Sequence, residues 1–255
     1  MDEQDRMPFF MEIHSDNPRE GPGSLESTTR AFRLLAELPP QPNILDVGCG
    51  PGKQTLDLAG LTGGHITAVD NGPSYIDVLK QRIAERHFET RVRAMIGDMT
   101  ALDFAPERFD LIWSEGAIYI MGFEQGLRQW GKLLKPGGYI AVSELTWLVE
   151  NPPEAVRAFW SEGYPAMRTV NDNLAVIKAC GYQPTGHFTL PASNWWQDYY
   201  NPIAAKLPAF RTKHHGNPAA QAAADMEQAE MALYRKHADV YGYVFYTMRR
   251  ADRHL

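Results

Sequence analysis

The sequence predicts an α/β fold in which a mostly parallel sheet is covered by helices on both faces. Short buried apolar runs alternate with helical patterns across residues 41–145, and a glycine-rich loop joins the first run to the helix after it. Alternation at this spacing is typical of βαβ units, whose strands lie parallel. The chain of 255 residues, 44% hydrophobic and 22% charged, has the size and composition of one globular α/β domain.

Five apolar runs in the first part of the chain are predicted to be strands. They are Ile44–Val47, His65–Asp70, Arg91–Ile96, Phe109–Trp113 and Tyr139–Glu144. The segments between them place apolar residues three or four positions apart, which indicates helices with one buried face. The clearest case carries Phe123, Leu127, Trp130 and Leu134 and ends at a predicted turn over residues 135–138.

The flanking segments extend this core into a single predicted domain over residues 1–255. Residues 1–40 comprise a loose arm up to residue 23 and a helix from Ser24 that Pro39-Pro40 ends. Residues 41–145 form the core, and residues 146–255 complete the sheet with strands near 187–190 and 243–248. About fifty residues between these two strands carry Trp195, Trp196, Tyr199, Tyr200 and Phe210. So aromatic an insertion favours a cap over a site, and a satellite core cluster is the alternative.

Composition excludes several classes of function. With 31 acidic and 25 basic residues the net charge is −6, which disfavours nucleic acid as a partner. The apolar runs are too short to span a membrane, and Asp2, Glu3 and Asp5 stand where a secretory signal would be positively charged. Only two cysteines occur, and no metal-binding spacing such as CxxC or HExxH is present. We therefore expect a cytoplasmic protein with no metal site.

The glycine loop Asp46-Val47-Gly48-Cys49-Gly50-Pro51-Gly52 carries most of the functional information. It follows a predicted strand and opens a helix, which is where α/β sheets bind ligands. The dinucleotide pattern G-x-G-x-x-G fails because Lys53 occupies the third glycine position. The P-loop pattern fails because Val47 replaces its first glycine and Gln54 replaces its Ser or Thr.

The remaining pattern, D-x-G-x-G-x-G, resembles motif I of the class I S-adenosylmethionine-dependent methyltransferases, and the resemblance runs from about Ser24 to Glu144. It implies a Rossmann-like sheet of seven mostly parallel strands with S-adenosylmethionine as cofactor. The glycine loop would wrap the methionine moiety, and Asp46 would contact the cofactor or brace the loop. The resemblance assigns the remaining cofactor contacts to the ends of later strands: Asp70 and Asn71 to the ribose, Asp98 and Met99 to the adenine, and Ser114 to the methyl group.

Candidates for catalysis lie after the fourth strand. Methyl transfer from a sulfonium is an in-line displacement, so a base is needed only when the acceptor arrives protonated. Glu115 and Tyr119 are the predicted catalytic residues, although Glu115 could equally cap a helix or orient the cofactor. Further candidate bases are Glu144, His14 and His187, with a structural role favoured for Glu144. The predicted substrate pocket consists of Trp195, Trp196 and Tyr200 from the aromatic insertion.

Residues 113–119, with Gly122-Phe123 and Tyr164-Pro165, resemble a bacterial group of small-molecule methyltransferases loosely related to the quinone-ring C-methyltransferases. The [ND]PP[YFW] motif of enzymes that methylate base amines or glutamine amides is not found after the fourth strand. A small-molecule acceptor is therefore expected. A cofactor-binding sensor or scaffold, a nicotinamide-dependent oxidoreductase and aminopropyl transfer are the alternatives. The acceptor atom and the oligomeric state stay open.

Overall fold

The computed structural model describes residues 3–251, so Asp2 of the acidic N-terminal start lies outside the described residues. The sheet has eight strands: β1 Asn43–Val47, β2 His65–Asp70, β3 Val92–Ile96, β4 Phe109–Glu115, β5 Leu134–Trp147, β6 Arg168–Thr169, β7 Tyr182–Thr189 and β8 Tyr241–Arg250. Seven of them follow the order β3-β2-β1-β4-β5-β8-β7, and the short β6 pairs with β5.

Strands β1 to β5 are parallel, and β8 inserts antiparallel between β5 and β7. The predicted mostly parallel sheet of seven principal strands is thus confirmed. Parallel neighbours need a long crossover, which α3 (Lys53–Leu61), α4 (Pro73–Glu85) and α5 (Phe123–Trp130) supply between successive strands. Their apolar faces pack on both sides of the sheet. As a result, β1 to β4 all end at the same edge.

The other helices flank this core. They are α1 Glu3–His14, α2 Leu25–Arg33, α6 Glu154–Gly163, α7 Val170–Ala179, α8 Ser193–Trp195, α9 Asn201–Lys213 and α10 Pro218–His237. Asn217 caps α10, and its side-chain oxygen accepts bonds from the amides of Ala219 and Ala220 at 3.0 and 3.2 Å. A π-helical turn over Trp196–Tyr200 joins α8 to α9, so the aromatic residues of the insertion all lie on helical segments.

The N-terminal arm is the largest departure from the predicted elements. Residues predicted as a loose arm form α1, which packs against α9 and α10 and buries Ile13 and His14 to 1% exposure each. Because α1 has little amphipathic character and contains Pro8, its helical state depends on these tertiary contacts. The helix after Ser24 also ends earlier than predicted, at Arg33, although Leu35 beyond it still packs into the core.

Strand lengths also differ from the prediction. The turn predicted at residues 135–138 lies inside β5, where pairing shifts from Phe109–Leu134 to Leu111–Tyr139. The extra residues form an irregularity with Gly137 at φ 70°, so β5 starts before the predicted turn and continues to Trp147. Strand β7 begins at Tyr182, before the strand predicted near residues 187–190. Its first residues pair with β8, but several of them are exposed, so the sequence lacks the apolar pattern of a strand there.

Candidate active site

The glycine loop forms the floor of a cleft at the carboxyl ends of β1, β2 and β4. Gly48, Gly50 and Gly52 all have positive φ angles, of 71°, 50° and 82°. A Cβ at Gly48 would lie 2.4 Å from the Cβ of Ala117, and one at Gly52 would lie 2.1 Å from Cδ1 of Leu79. Both positions therefore require glycine for conformation and for space. Gly48 and Gly50 line the cleft, whereas Gly52 packs against α4.

Asp70 connects the end of β2 to the glycine loop. Its Oδ2 accepts the Gly50 amide at 2.8 Å, and its Oδ1 accepts the Gly72 amide at 2.8 Å. The side chain lines the cleft beside Asn71. Each carboxylate oxygen can accept a second bond, so Asp70 both fixes the loop and presents acceptors to the cleft.

Asp98 and Met99 border the cleft after β3, at the positions predicted for adenine contact. Asp98 Oδ1 accepts bonds from the backbone amide and the hydroxyl of Thr100, both at 2.8 Å. These two bonds lower the pKa of Asp98. Met99 lies close to the glycine loop, with its Cε 3.4 Å from the position a Cβ of Gly48 would take. The loop, Asp70 and Asp98 thus face one cleft.

Asp46 and Ser114 were predicted to bind the cofactor, but the structure buries both away from the cleft lining. Asp46 is fully buried, and its Oδ2 accepts the Thr55 hydroxyl at 2.6 Å. Burial raises the pKa of Asp46 to about 7, although the Thr55 bond opposes this rise. The bracing role for Asp46 therefore fits the structure better than direct contact. Ser114 is likewise fully buried within β4, with its Oγ unpaired among the described residues.

Glu115 lines the cleft, but three donors hold its carboxylate. Arg19 donates to its Oε2 at 2.8 Å, while the Thr28 hydroxyl and the Trp113 indole N–H donate to its Oε1 at 2.9 Å each. Arg19 also donates to Asp57 at 2.8 Å and is only 3% exposed. Glu115 is therefore better placed to anchor the segment before α2 than to accept a proton.

Tyr119, the second predicted catalytic residue, also lines the cleft, on a 3-10 turn after β4. Its ring packs edge-on against Tyr164 at 5.8 Å between centroids. The Tyr164 hydroxyl donates to Glu144, a carboxyl group of which only 2% is exposed. Burial raises the pKa of Glu144 to about 8. A carboxyl group able to exchange a proton near neutral pH thus lies behind Tyr119.

The N-terminal arm supplies cleft residues that the sequence interpretation largely missed. Phe10, His14, Arg19 and Glu20 all line the cleft, and Tyr75 of α4 faces them. His14 lies between Glu20, at 3.0 Å, and Glu227, at 3.1 Å. Burial lowers the pKa of His14, but its bonds to both carboxylates outweigh burial and raise the pKa to about 9. His14 is therefore protonated at neutral pH and ties the arm to α10.

The aromatic insertion does not line the cleft, which corrects the predicted substrate pocket. Trp195 is 1% exposed and stacks on Tyr234 at 4.0 Å, and Tyr200 is fully buried beside it. Trp196 packs against the same cluster under the guanidinium of Arg235. These side chains form a core between the sheet and α10, the alternative to a cap. The candidate base His187 is also remote, exposed on β7.

The cleft has a cavity volume of about 240 Å³. Within residues 3–251 no group of three His, Cys, Asp or Glu side chains is arranged to hold a metal ion. None of the helices between these residues is both long and apolar enough to cross a membrane. The residues able to hold a ligand are thus the glycine loop, the strand-end carboxylates and the arm.

Sequence comparison agrees with this geometry. Residues 44–138 match the family described as a methyltransferase domain. Methyltransferase GfsG of Streptomyces halstedii is 29% identical over 168 residues, covering 58% of this chain and 60% of that protein. The sterol 24-C-methyltransferase erg-4 of Neurospora crassa is 28% identical over 174 residues, covering 64% of this chain and 45% of that protein. The chain thus spans about half the length of these curated relatives.

The fold has close counterparts among solved structures. An S-adenosylmethionine-dependent methyltransferase from Geobacter sulfurreducens, solved with S-adenosylhomocysteine, aligns with a TM-score of 0.79 at 20% identity, covering 94% of this chain and 97% of that one. The strand order and the glycine loop after β1 define a Rossmann-like methyltransferase fold. Residues 44–138 thus match a methyltransferase domain, and the chain shares the fold of a methyltransferase that was solved with S-adenosylhomocysteine.

Proposed function

We propose that this protein transfers a methyl group from S-adenosylmethionine to a small-molecule acceptor. The observation that carries the proposal is the convergence of the glycine loop, Asp70 and Asp98 on one cleft. The relatives named above include a sterol methyltransferase, which supports a small molecule rather than a macromolecule as acceptor. The net charge of −6 supports the same choice, because a polyanion would be repelled.

The cleft residues fit the parts of this cofactor. Gly48 and Gly50 leave backbone exposed where the methionine moiety would lie, close to the start of α3. Asp70 has carboxylate oxygens that can accept ribose hydroxyls, and charged acceptors make the stronger hydrogen bonds. Asp98 and Met99 would contact the adenine. Gly52, Asp46 and Ser114 would act indirectly, by shaping the loop and the end of β4.

The cofactor supplies an electrophilic methyl group on a positively charged sulfur, and the leaving group is a neutral thioether. The protein therefore has to align the acceptor with the methyl group and exclude water, and such positioning can contribute about 7–11 kcal/mol. We propose that Tyr119 contacts the acceptor. The arm residues Phe10 and His14 would close the cleft over it. A cytoplasmic location is part of the proposal and is supported by the free thiols of Cys49 and Cys180.

Titration calorimetry tests the cofactor directly. S-Adenosylhomocysteine should bind with a measurable heat, and NADH should not compete for the site. Tighter binding of NADH would overturn the assignment in favour of an oxidoreductase. To test turnover, labelled S-adenosylmethionine would be incubated with fractionated metabolite extracts. If the protein binds the cofactor but no fraction yields S-adenosylhomocysteine, the protein would instead be a cofactor-binding sensor.

Asp70→Ala isolates the role of the β2 carboxylate. The substitution removes an acceptor for the cofactor and leaves the amides of Gly50 and Gly72 without their partner. We expect S-adenosylhomocysteine binding to weaken by about 2 kcal/mol, which is the typical worth of a hydrogen bond to a charged group. Asp77→Ala on the exposed surface of α4 is the matched control. Unchanged affinity in Asp70→Ala would limit Asp70 to a turn residue.

A further inference from the structure

The exposed apolar side chains of this protein gather at the mouth of the cleft. Eight large apolar side chains are exposed among the described residues, and three of them, Phe10, Tyr119 and Ile120, line the cleft. These three are 38%, 43% and 60% exposed. Single exposed apolar residues are ordinary on a protein surface, but a group of them around a cleft indicates a binding surface.

Two further exposed side chains extend this surface along α1. Met7 lies three positions before Phe10 and four before Met11, and residues three or four positions apart are neighbours on a helix surface. Both methionines are exposed. We call Met7, Phe10, Met11, Tyr119 and Ile120 the mouth patch. Five of the eight exposed apolar side chains thus lie on the cleft lining or beside it.

Two rings of the mouth patch are held in place by the side chains behind them. Phe10 stacks on the His14 ring with 4.0 Å between centroids, and two carboxylates fix His14 in turn. Tyr119 packs edge-on against Tyr164. A surface that is already ordered loses little conformational entropy when a ligand covers it. The mouth patch is therefore suited to binding.

The charged groups that line the cleft already have partners within the protein. They are His14, Arg19, Glu20, Asp70, Asp98 and Glu115. Each of the two cations, His14 and Arg19, binds two carboxylates, and these include Glu20 and Glu115. The other two carboxylates accept backbone amides and, in the proposed function, face the cofactor. An ionised acceptor would meet only charges that are already paired, and burial of an ion without a partner of its own is costly.

The carboxyl group behind Tyr119 adds no negative charge to the mouth patch at neutral pH. Burial raises the pKa of Glu144 to about 8, so this group keeps its proton there. Arg168 is the cation that acts on Glu144, and it does not line the cleft. The mouth patch therefore offers a ligand apolar contacts rather than charges.

The size of the cleft limits how much of an acceptor it can enclose. Its cavity volume is about 240 Å³, whereas sites for drug-sized ligands typically measure about 300–1,000 Å³. A cofactor in the cleft would leave room only for the reacting end of an acceptor. The rest of the acceptor would lie outside, where the mouth patch is the adjoining surface.

We propose that the acceptor is an uncharged lipid, with a neutral reacting end and a hydrocarbon chain or ring system. The reacting end enters the cleft beside Tyr119, and the hydrocarbon part covers the mouth patch. This proposal rests on the proposed methyl transfer and names its substrate class. The removal of apolar surface from water, on the lipid and on the mouth patch, drives the binding.

A series of straight-chain alcohols tests this proposal. Hexanol, octanol, decanol and dodecanol share one neutral head group and differ only in the length of the hydrocarbon chain. Each is titrated into protein saturated with S-adenosylhomocysteine. We expect the dissociation constant to fall about fourfold for each added methylene group until the chain outgrows the mouth patch, since this is the usual gain when a methylene group leaves water. Affinity that does not depend on chain length, or no binding of any alcohol, would overturn the proposal.

Two charged probes test whether the acceptor is neutral. Decanoate and decylammonium carry chains of the same length as decanol with a negative or a positive head group. We expect both ions to bind several-fold more weakly than decanol, because neither head group finds an unpaired charge in the cleft. Equal or tighter binding of either ion would contradict an uncharged acceptor.

Variants locate the binding within the molecule. Ile120→Ser removes the most exposed side chain of the mouth patch and should weaken decanol binding about five- to tenfold. Leu25→Ser is the matched control, because Leu25 is exposed at the start of α2 and does not line the cleft. It should leave decanol affinity unchanged. Met11→Ser is the second test if Ile120→Ser does not fold. Unchanged decanol affinity in the folded variants of the mouth patch, or an equal loss in Leu25→Ser, would overturn the proposal.

Two measurements separate other occupants of the mouth patch from a single lipid molecule. Sedimentation with phosphatidylcholine vesicles, without binding of the free alcohols, would assign the patch to a membrane surface. A dimer that Ile120→Ser dissociates, again without alcohol binding, would assign it to a contact between two copies of the chain. Either result would contradict the proposal.

If S-adenosylhomocysteine itself does not bind, the proposed function fails, and the lipid proposal fails with it. If S-adenosylhomocysteine binds but the alcohols show no dependence on chain length, only the lipid proposal fails. The two outcomes are thereby distinguished in one set of titrations.

Discussion

The two halves of the cleft are built in different ways. The half proposed to bind the cofactor, here called the cofactor half, consists of strand ends and a backbone loop between Asp46 and Asp98, and its contacts join neighbouring strands, such as Gly50 to Asp70. The half proposed to hold the acceptor, here called the acceptor half, consists of side chains from segments far apart in sequence. His14 meets Glu227 across 213 positions, and Arg19 meets Glu115 across 96.

This difference shows what each half requires. Backbone conformation and strand register fix the cofactor half, so a short stretch of sequence specifies it. The acceptor half exists only when α1 and α10 are packed against the sheet, so its geometry depends on long-range burial and ion pairing. Substitutions should therefore distinguish the two halves, because some should change the free energy of unfolding and others the affinity for S-adenosylhomocysteine.

Trp195→Ala should produce the largest loss of stability. Trp195 stacks on Tyr234 in the core beside α10, and truncation of a buried tryptophan costs about 3–5 kcal/mol of unfolding free energy. Because Trp195 does not line the cleft, the folded variant should retain its affinity for S-adenosylhomocysteine. Chemical denaturation and calorimetry measure the two effects. Trp196→Ala, half-buried under Arg235, is the control, with an expected loss of about 1 kcal/mol. Equal losses would contradict the core assignment.

Arg19→Met should uncouple the arm from the core. It leaves the carboxylates of Glu115 and Asp57, which are 5% and 17% exposed, without Arg19, and breaking one partner of a buried pair costs about 3 kcal/mol or more. We expect both lower stability and weaker binding of S-adenosylhomocysteine, because the arm lines the cleft. Arg128→Met breaks an exposed pair with Glu124 and should have little effect. A loss of the same size in both variants would argue against the anchoring role.

Gly48→Ala tests the backbone-determined half. The added Cβ would clash with Ala117 at a φ of +71°, and the combined strain and overpacking should cost about 2–3 kcal/mol. Binding of S-adenosylhomocysteine should be lost together with the loop geometry. Gly60→Ala, on the exposed face of α3 with open space around it, should instead stabilise the helix by about 0.5–1 kcal/mol. Tolerance of alanine at position 48 would mean that the loop can rearrange.

Glu144→Gln should flatten the dependence of stability on pH. Above pH 4.5 the unfolded glutamate loses its proton, while folded Glu144 keeps it until about pH 8. The unfolded state then binds fewer protons, so Glu144 makes stability fall as pH rises, by about 1.4 kcal/mol per pH unit within that interval. The difference between wild type and variant isolates this residue from Asp46 and Glu230, which act in the same direction. Parallel pH profiles would show that Glu144 is not protonated in the folded protein.

Most of the cofactor half could be predicted because its signals are local. Strand β2 was predicted at its observed bounds, and Gly48, Gly50, Asp70 and Asp98 meet at the predicted cleft. The sequence left two roles open for Asp46, and the burial of Ser114 was not predicted. An acidic or hydroxyl residue at a strand end can face either the ligand or the protein interior. Successive side chains of a strand point to opposite faces, so a shift of one residue in where the strand ends decides which of the two it faces.

The acceptor half was predicted poorly because the direction in which its side chains point depends on contacts with distant segments. The aromatic residues of 195–200 suggested a pocket, yet burial against Tyr234 and α10 turns them inward. Residues 1–23 have no strong helical pattern, so nothing local signals that Phe10 and Glu20 line the cleft. Glu144 was noted only as the last residue of the predicted fifth strand, because its hydrogen-bond partner, Tyr164, lies on a later segment.

The amino-acid sequence alone determined the order of strands and helices and the loop that marks the cofactor site, because both depend on apolar spacing and on glycines that few other residues can replace. The tertiary structure alone decided which aromatic side chains became core, which carboxyl groups lost water, and that the N-terminal helix lines the cleft. Burial and charge pairing arise between segments that lie from 20 to 213 positions apart, so no short stretch of sequence contains them.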